Sequence, residues 1–329
     1  MSRLALGIVG VGYLGQIHTK LASSIGEIDL VGIYDQDQAK CRQIAEQFGT
    51  VAFSRLDSLL RRVQAVSIVV PTEAHHQVAL QALEQDCHLF IEKPMAHTVD
   101  QAQEINHTAR QKDRKVQVGH IERFNPAFLC LRDKAIQPLF VECHRLSRYN
   151  PRGTDVSVIL DLMIHDLDII LHLMQGRPKS IQACGVSVVS EGEDIANVRL
   201  GFEGGSVANL TSSRISTKDM RKMRIFQRNC YIGIDFLEQK SQLISLASGE
   251  KQECGPEALV LGQIGNGAQS RQVILETPPS PEVNSLQKEL QEFARAVLHN
   301  THTPVTGEDG LLALELAHTI LDKIKHPEL

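Results

Sequence analysis

The sequence predicts an α/β first half built on a parallel sheet and an α+β second half with a mostly antiparallel sheet. Three observations predict it. Over the first 120 residues short apolar runs alternate with amphipathic stretches, the pattern of βαβ units whose sheet is covered by helices on both faces. Beyond about residue 120, strand-like runs follow one another without intervening helices, which builds antiparallel sheet. A G-x-G-x-x-G also stands directly after the first apolar run. A chain of 329 residues corresponds to two domains at roughly 100–200 residues each. The division expected is 1–120 and 121–329, with a last helix at about 309–325 returning to the core.

The first run, Leu4–Val9, reads as a strand feeding a tight turn. Arg3 and the stretch LALGIVGVGYLG after it have the look of a signal peptide, but no small-x-small cleavage site follows and residues 4–15 carry four glycines. Further strands are expected at Leu30–Tyr34, Ala65–Val70, His88–Ile91 and Val116–Val118, with helices at 14–25, 37–48, 74–85 and 98–112. In the second half the periodicity predicts a helix over 155–174. Strands are expected near 180–189, 195–203, 205–213, 222–237 and 241–247, with Gly204–Gly205 as a two-residue hairpin turn. The stretch 248–282, rich in Gly, Pro, Ser and Gln, reads as a long excursion with poorly defined structure. Helices at 284–299 and 309–325 close the chain, and there is no internal repeat.

Composition narrows the function classes. Apolar residues are 42% and charged residues 22%, near globular averages. The net charge of −5 disfavours nucleic acid and anionic membrane as partners. Aromatics at 4%, with no Trp, leave little for base-stacking platforms. Seven scattered Cys without a C-x-x-C argue against a disulfide framework or a structural zinc, and fit a reducing cytoplasm. No apolar run approaches the roughly 20 residues that span a bilayer.

The chemical signals lie at expected strand ends. In Gly10-Val11-Gly12-Tyr13-Leu14-Gly15 the glycines permit a tight turn and close approach of a pyrophosphate, while the following helix offers N–H groups and positive dipole. Asp35, twenty residues beyond Gly15 and followed by Gln36, can accept from both ribose hydroxyls and would repel a 2′-phosphate, which favours NAD over NADP. Val70-Pro71-Thr72-Glu73-Ala74-His75 and Phe90-Ile91-Glu92-Lys93-Pro94 end two further strands, where open α/β sheets bind ligands. Asp161 and His165 share a helix face at i,i+4 within an apolar stretch. A buried core pair or two ligands of a divalent ion are alternatives there, although no third ligand stands at familiar spacing.

Together GVGYLG, VPTEAH, EKP and D-x-x-x-H resemble the glucose–fructose oxidoreductase/inositol dehydrogenase/MocA family of NAD(P)-dependent sugar oxidoreductases. The resemblance covers essentially the whole chain, including PVTGEDGLLALELA at 304–317. Within it, GHIERFNPAF (119–128) and RYNPRGTDVSVILDLMIHDLDI (148–169) most resemble the nucleotide-sugar branch that oxidises UDP-N-acetylglucosamine at C3 in lipid A precursor synthesis. The resemblance implies a Rossmann domain with NAD as cofactor. Gly10, Gly12, Tyr13 and Leu14 would hold the pyrophosphate and Asp35 the adenosine ribose. Pro71, Thr72 and His75 would line the path to the nicotinamide ribose, with Glu92 nearby. Lys93, Asp161 and His165 would be catalytic, and no metal is expected. One departure is Ser157-Val158-Ile159-Leu160, where the family is glycine-rich before the D-x-x-x-H. The resemblance further implies a homodimer or homotetramer and functional coupling to an aminotransferase.

A nucleotide sugar needs its diphosphate neutralised. Arg145, Arg148 and Arg152 precede the catalytic helix, and Arg214, Lys218, Arg221, Lys222 and Arg224 cluster later; solvated faces or subunit contacts are the alternative. Arg123 and Asn125 are further substrate candidates, and Tyr149 either stacks on the substrate or is a core residue. Three function classes stand: a nucleotide-sugar dehydrogenase, a free sugar or polyol dehydrogenase, and a non-catalytic NAD-binding regulatory protein.

Overall fold

The computed structural model describes residues 2–150, 156–248, 258–266 and 270–326. It divides into two units, residues 1–121 with 283–315, and residues 122–282 with 316–329.

In the first unit the alternation folds as β1 (Leu4–Val9), α1 (Tyr13–Ala22), β2 (Ile28–Tyr34), α2 (Gln38–Phe48), α3 (Leu56–Leu60), β3 (Ala65–Ile68), α4 (Thr72–Glu84), β4 (His88–Glu92), α5 (Val99–Gln111) and β5 (Val116–Gly119). The sheet is parallel in the order β2-β1-β3-β4-β5. Burial on both faces explains the unbroken apolar runs: all four residues of β3 are buried. Helix ends follow local chemistry. The Asp37 carboxylate accepts the Ala39 and Lys40 amides at the start of α2, and Thr98 with Gln101 forms a capping box on α5.

The second unit has one nine-stranded sheet. Its elements are α6 (Pro126–Leu129), β6 (Phe140–Arg148), α7 (Ile164–Met174), β7 (Ser180–Val186), β8 (Ile195–Gly201), β9 (Val207–Ser216), β10 (Met220–Gln227), β11 (Cys230–Asp235), β12 (Lys240–Ser248), β13 (Leu259–Ile264) and β14 (Arg271–Glu276). The order is β13-β14-β12-β11-β10-β6-β9-β8-β7, antiparallel except for the β6–β9 pair. One face carries the core: Val141, Val198, Leu210, Met223 and Ile232 pack with Met163, Leu167 and Ile170.

Several expectations need correcting. Residues 283–315 belong to the first unit, not to a second domain running unbroken over 121–329. The reason is α8 (Ser285–Leu298), whose Leu286, Leu290, Phe293 and Ala294 join the core of Leu4, Leu6, Ile8 and Phe90. The last helix, α9 (Gly307–Lys325), passes from the first unit into the second. The expected 248–282 excursion contains β13 and β14, hidden from pattern reading because Leu259, Val260, Leu261 and Ile264 on the sheet edge are exposed. The expected 222–237 strand is two, divided at Asn229 in left-handed conformation (φ 59°). The β8–β9 turn is a three-residue loop, Glu203-Gly204-Gly205, closed by Phe202 N–H to Ser206 O at 2.8 Å. Strand β6 escaped notice because an arginine occupies an inward position of its alternation.

That arginine, Arg145, is 3% exposed. It donates to Asp166 through Nε (3.0 Å) and Nη2 (2.8 Å), and to Glu122 through Nη1 (2.8 Å). Burial opposes its charge, but the two carboxylates more than offset this and raise its pKa. A second buried pair joins Arg123 to Asp168 by two bonds of 2.7 Å. Asp166 and Asp168 both lie on α7, so two arginines fix that helix.

Replacing Arg145 by Ala strands two buried carboxylates and should cost about 3–5 kcal/mol in urea unfolding. Arg224→Ala removes a half-exposed partner of Glu142 and should stay within about 1 kcal/mol. His88 gives a pH signature. Burial, then the Arg114 and Lys115 charges, push its pKa down to about 4. The unfolded chain therefore binds the extra proton between about pH 6.5 and 4, and stability falls with pH across that window. His88→Gln should flatten this part of the Tm-against-pH curve.

Candidate functional site

In the first unit β1 lies between β2 and β3, so the strand order reverses there and a crevice opens outside the carboxyl ends of the strands. The glycine loop enters it. Gly10 has φ +94°, and a Cβ there would lie 2.5 Å from Val69 O; one on Gly15 would lie 2.0 Å from Gly10 O. Both positions exclude a side chain. At Gly12, by contrast, a Cβ would meet nothing within 4 Å, which leaves the N-terminus of α1 open to an approaching diphosphate. The first amides of a helix lack intrahelical acceptors, so the loop fits a dinucleotide. Tyr13 is 83% exposed and Leu14 is also exposed beside it.

Asp35 follows β2, and its carboxylate is aimed by the backbone. Oδ2 accepts the Val11 amide at 2.6 Å and Oδ1 the Asp37 amide at 2.9 Å. The acid is thus tied to the glycine loop while keeping lone pairs for ribose hydroxyls. Pro71 caps α4 and Thr72 opens it.

His75 behaves differently from what the resemblance implied. It is 1% exposed, with Nε2 at 2.9 Å from Val70 O and Nδ1 at 2.9 Å from Pro94 O. Both nitrogens face backbone carbonyls, so the neutral ring donates its single N–H to one of them at a time, and neither nitrogen opens to a ligand. Burial pushes its pKa down, against the pull of the two carbonyls.

Glu92 ends β4 and Lys93 follows it, joined to Pro94 by a cis peptide bond. Glu92 Oε1 accepts from His18 Nε2 at 3.0 Å, and His18 Nδ1 faces Ser67 Oγ at 2.9 Å. Sequence reasoning missed His18 and Ser67. The only available signals were a His three residues past Gly15 and a lone Ser inside the apolar run 65–70.

In the second unit Asp161 and His165 are half-buried. A π-turn over Ile159–Met163 carries Asp161, and His165 stands in the first turn of α7. The expected continuous helix from 155 is therefore interrupted where the sequence departs from the family's glycines. Single π-turns of this kind concentrate at functional sites. Among the described residues no group of three or more His, Cys, Asp or Glu could hold a metal ion.

The substrate candidates of this unit are largely engaged. Arg123 holds Asp168. Asn125 caps α6 through the Ala127 amide and donates to Glu122 and Phe236 O. Arg214 is 5% exposed and donates to Val156 O. Arg148 is exposed and faces Asp219 at 3.6 Å. Arg221, Lys222 and Arg224 stand against Glu122, Asp235 and Glu142. Three members of the expected diphosphate cluster thus have carboxylates in place. Tyr149 is 53% exposed, which removes the core reading. Arg152 lies outside the described residues.

Comparison with known proteins agrees with this geometry. Residues 4–120 match the profile described as oxidoreductase family, NAD-binding Rossmann fold, and residues 117–230 match the GFO/IDH/MocA C-terminal domain. The chain is 35% identical over 250 residues to UDP-N-acetylglucosamine 3-dehydrogenase of Acidithiobacillus ferrooxidans, covering 76% of this chain and 79% of that one. A solved structure of that enzyme superposes with a TM-score of 0.87 at 29% identity, covering 99% of both chains. Myo-inositol 2-dehydrogenase of Thermotoga maritima is 22% identical over 334 residues, 96% of this chain and 94% of that one.

Asp35→Ala should weaken NAD binding by at least about tenfold, since charged hydrogen bonds to ribose contribute about 1.5–3 kcal/mol. Calorimetric titration with NAD and NADP should show the preference for NAD shrinking with it.

Proposed function

The chain belongs to the GFO/IDH/MocA family of NAD-binding oxidoreductases, and from that premise we propose that it oxidises a nucleotide-sugar hydroxyl to a ketone, the substrate being UDP-N-acetylglucosamine and the carbon C3. The observation that carries the reading is the likeness, along nearly the whole chain, to an enzyme named for that reaction. NAD, when bound, supplies the acceptor for the hydride leaving the sugar carbon.

The protein's own residues handle proton and charge. His165 takes the proton of the reacting hydroxyl, work suited to an imidazole whose ordinary pKa lies near neutrality. Lys93, as an ammonium, stabilises the negative charge developing on that oxygen. Asp161, four residues before His165, orients the imidazole for the proton transfer. Gly10, Gly12, Tyr13 and Leu14 receive the pyrophosphate and Asp35 the adenosine ribose, with Pro71, Thr72 and Glu92 toward the nicotinamide. Arg148 and Tyr149, both exposed, are kept as substrate candidates, together with Arg152, which lies outside the described residues. The keto product suits a transaminating enzyme as its consumer. We place the protein in the cytoplasm as a homodimer or homotetramer; no helix among the described residues is long and apolar enough to cross a membrane.

A free sugar or polyol is the second reading. One observation favours it, the pairing of Arg221, Lys222 and Arg224 with carboxylates. Absorbance of NADH separates the two readings. Formation with UDP-N-acetylglucosamine, but not with N-acetylglucosamine or inositol, supports the first; the reverse supports the second. An aminotransferase coupled to the assay draws off the ketone, and silence with every sugar even then would sink both. Lys93→Ala and His165→Ala should each lower kcat by about 10²-fold or more.

A further inference from the structure

Four elements of the first unit converge on the three residues Glu92-Lys93-Pro94. From α1, His18 is fully buried and its Nε2–H donates to Glu92 Oε1 at 3.0 Å. From β3, the buried Ser67 hydroxyl stands 2.9 Å from His18 Nδ1, and it donates there when the ring is neutral. From α4, His75 stands 2.9 Å from Pro94 O, on the other side of the lysine. From β5, Gly119 sits so close that a Cβ on it would lie 2.8 Å from Glu92 Oε2. That second carboxylate oxygen accepts the Lys93 amide at 3.3 Å.

For stability alone such an arrangement is a poor choice. A buried imidazole hydrogen-bonded to a half-buried carboxylate often stabilises a fold no more than apolar side chains of the same volume would. Its effect is geometric: Glu92 is held by His18 on one oxygen and by the Lys93 backbone on the other, while Gly119 closes off its sideways movement. Phe90, packed edge-on against His18 at 5.6 Å between centroids, fixes the plane of that ring.

We propose that His18 and His75 are positioning residues: a two-sided histidine clamp, with Ser67 steadying His18, holds the segment Glu92–Pro94 so that Lys93 keeps a single backbone placement during turnover. The inference rests on the dehydrogenase reading and on Lys93 acting in it. Neither histidine touches the reacting atoms. A rate advantage of this kind comes from orientation, so its loss shows in kcat rather than in binding.

The test uses the full-length protein with His18→Leu, His18→Gln, Ser67→Ala and His75→Leu. Steady-state kinetics with NAD and UDP-N-acetylglucosamine are read beside hydrogen exchange of the peptide spanning 88–97. His18→Leu should lower kcat by about tenfold with both KM values within about twofold, and should speed amide exchange over 88–97. His18→Gln, which keeps a donor for Glu92, should recover most of both. His75→Leu should repeat the kcat loss and the faster exchange. Ser67→Ala leaves the Glu92 bond in place and should cost kcat about threefold; it serves if His18→Leu fails to fold. Wild-type kcat in His18→Leu or Ser67→Ala overturns the proposal, as does a loss that His18→Gln does not recover or one that lies mainly in KM. If the wild-type protein oxidises no sugar, the dehydrogenase reading fails by itself. The clamp is then judged by exchange alone, and unchanged exchange in His18→Leu and His75→Leu overturns it.

Discussion

A guanidinium buried at an inward position of a sheet is the constraint around which the second unit is arranged. Arg145 occupies a place in β6 that alternation would give to an apolar side chain, and its charge can be kept from water only by acids brought to it. Asp166 comes from α7 and Glu122 from the turn before α6. Arg123 and Asp168 repeat the device two residues further along the helix. Because both aspartates share α7 with His165, the helix cannot rotate or slide without breaking a bidentate pair. Electrostatics here specifies geometry more than it adds stability.

The first unit was readable almost throughout. Its five strands and four of its five helices in 1–121 follow from periodicity and end signals, because a doubly covered parallel sheet forces apolar runs into strands and leaves Gly, Asp and Thr at the helix ends. Only the short α3 was absent from the reading. In the second unit, features that depend on partners distant in sequence were hidden. Strand β6 was lost to its arginine, and β13 and β14 to an apolar surface facing out. In the first unit, the return of residues 283–315 is set by burial of α8 against Leu4 and Phe90, which local pattern cannot reveal.

The site shows the same division. The glycine loop and Asp35 are local chemistry: a turn that admits no side chain, and an acid one strand later. Lys93 was visible from the E-K-P at a strand end. By contrast, the bonds His18 makes reach residues 49 and 74 positions away, and nothing beside it in the chain marks it. Arg123 and Asn125 are the converse case. A charged or amide side chain in a motif-like stretch reads as a ligand contact until its partner, Asp168 or the α6 backbone, is seen.

The two units are also threaded in an order that matters during synthesis. The chain enters the first unit, leaves it at 121, returns at 283 and departs again at 315. A nascent polypeptide that has emerged only to residue 282 has all five parallel strands but lacks α8, so Leu4, Leu6 and Phe90 are missing the neighbours that complete their core. The cofactor half, though first off the ribosome, is therefore finished only after the second sheet has been made. Its last apolar layer arrives only with Leu286, Leu290, Phe293 and Ala294 of α8.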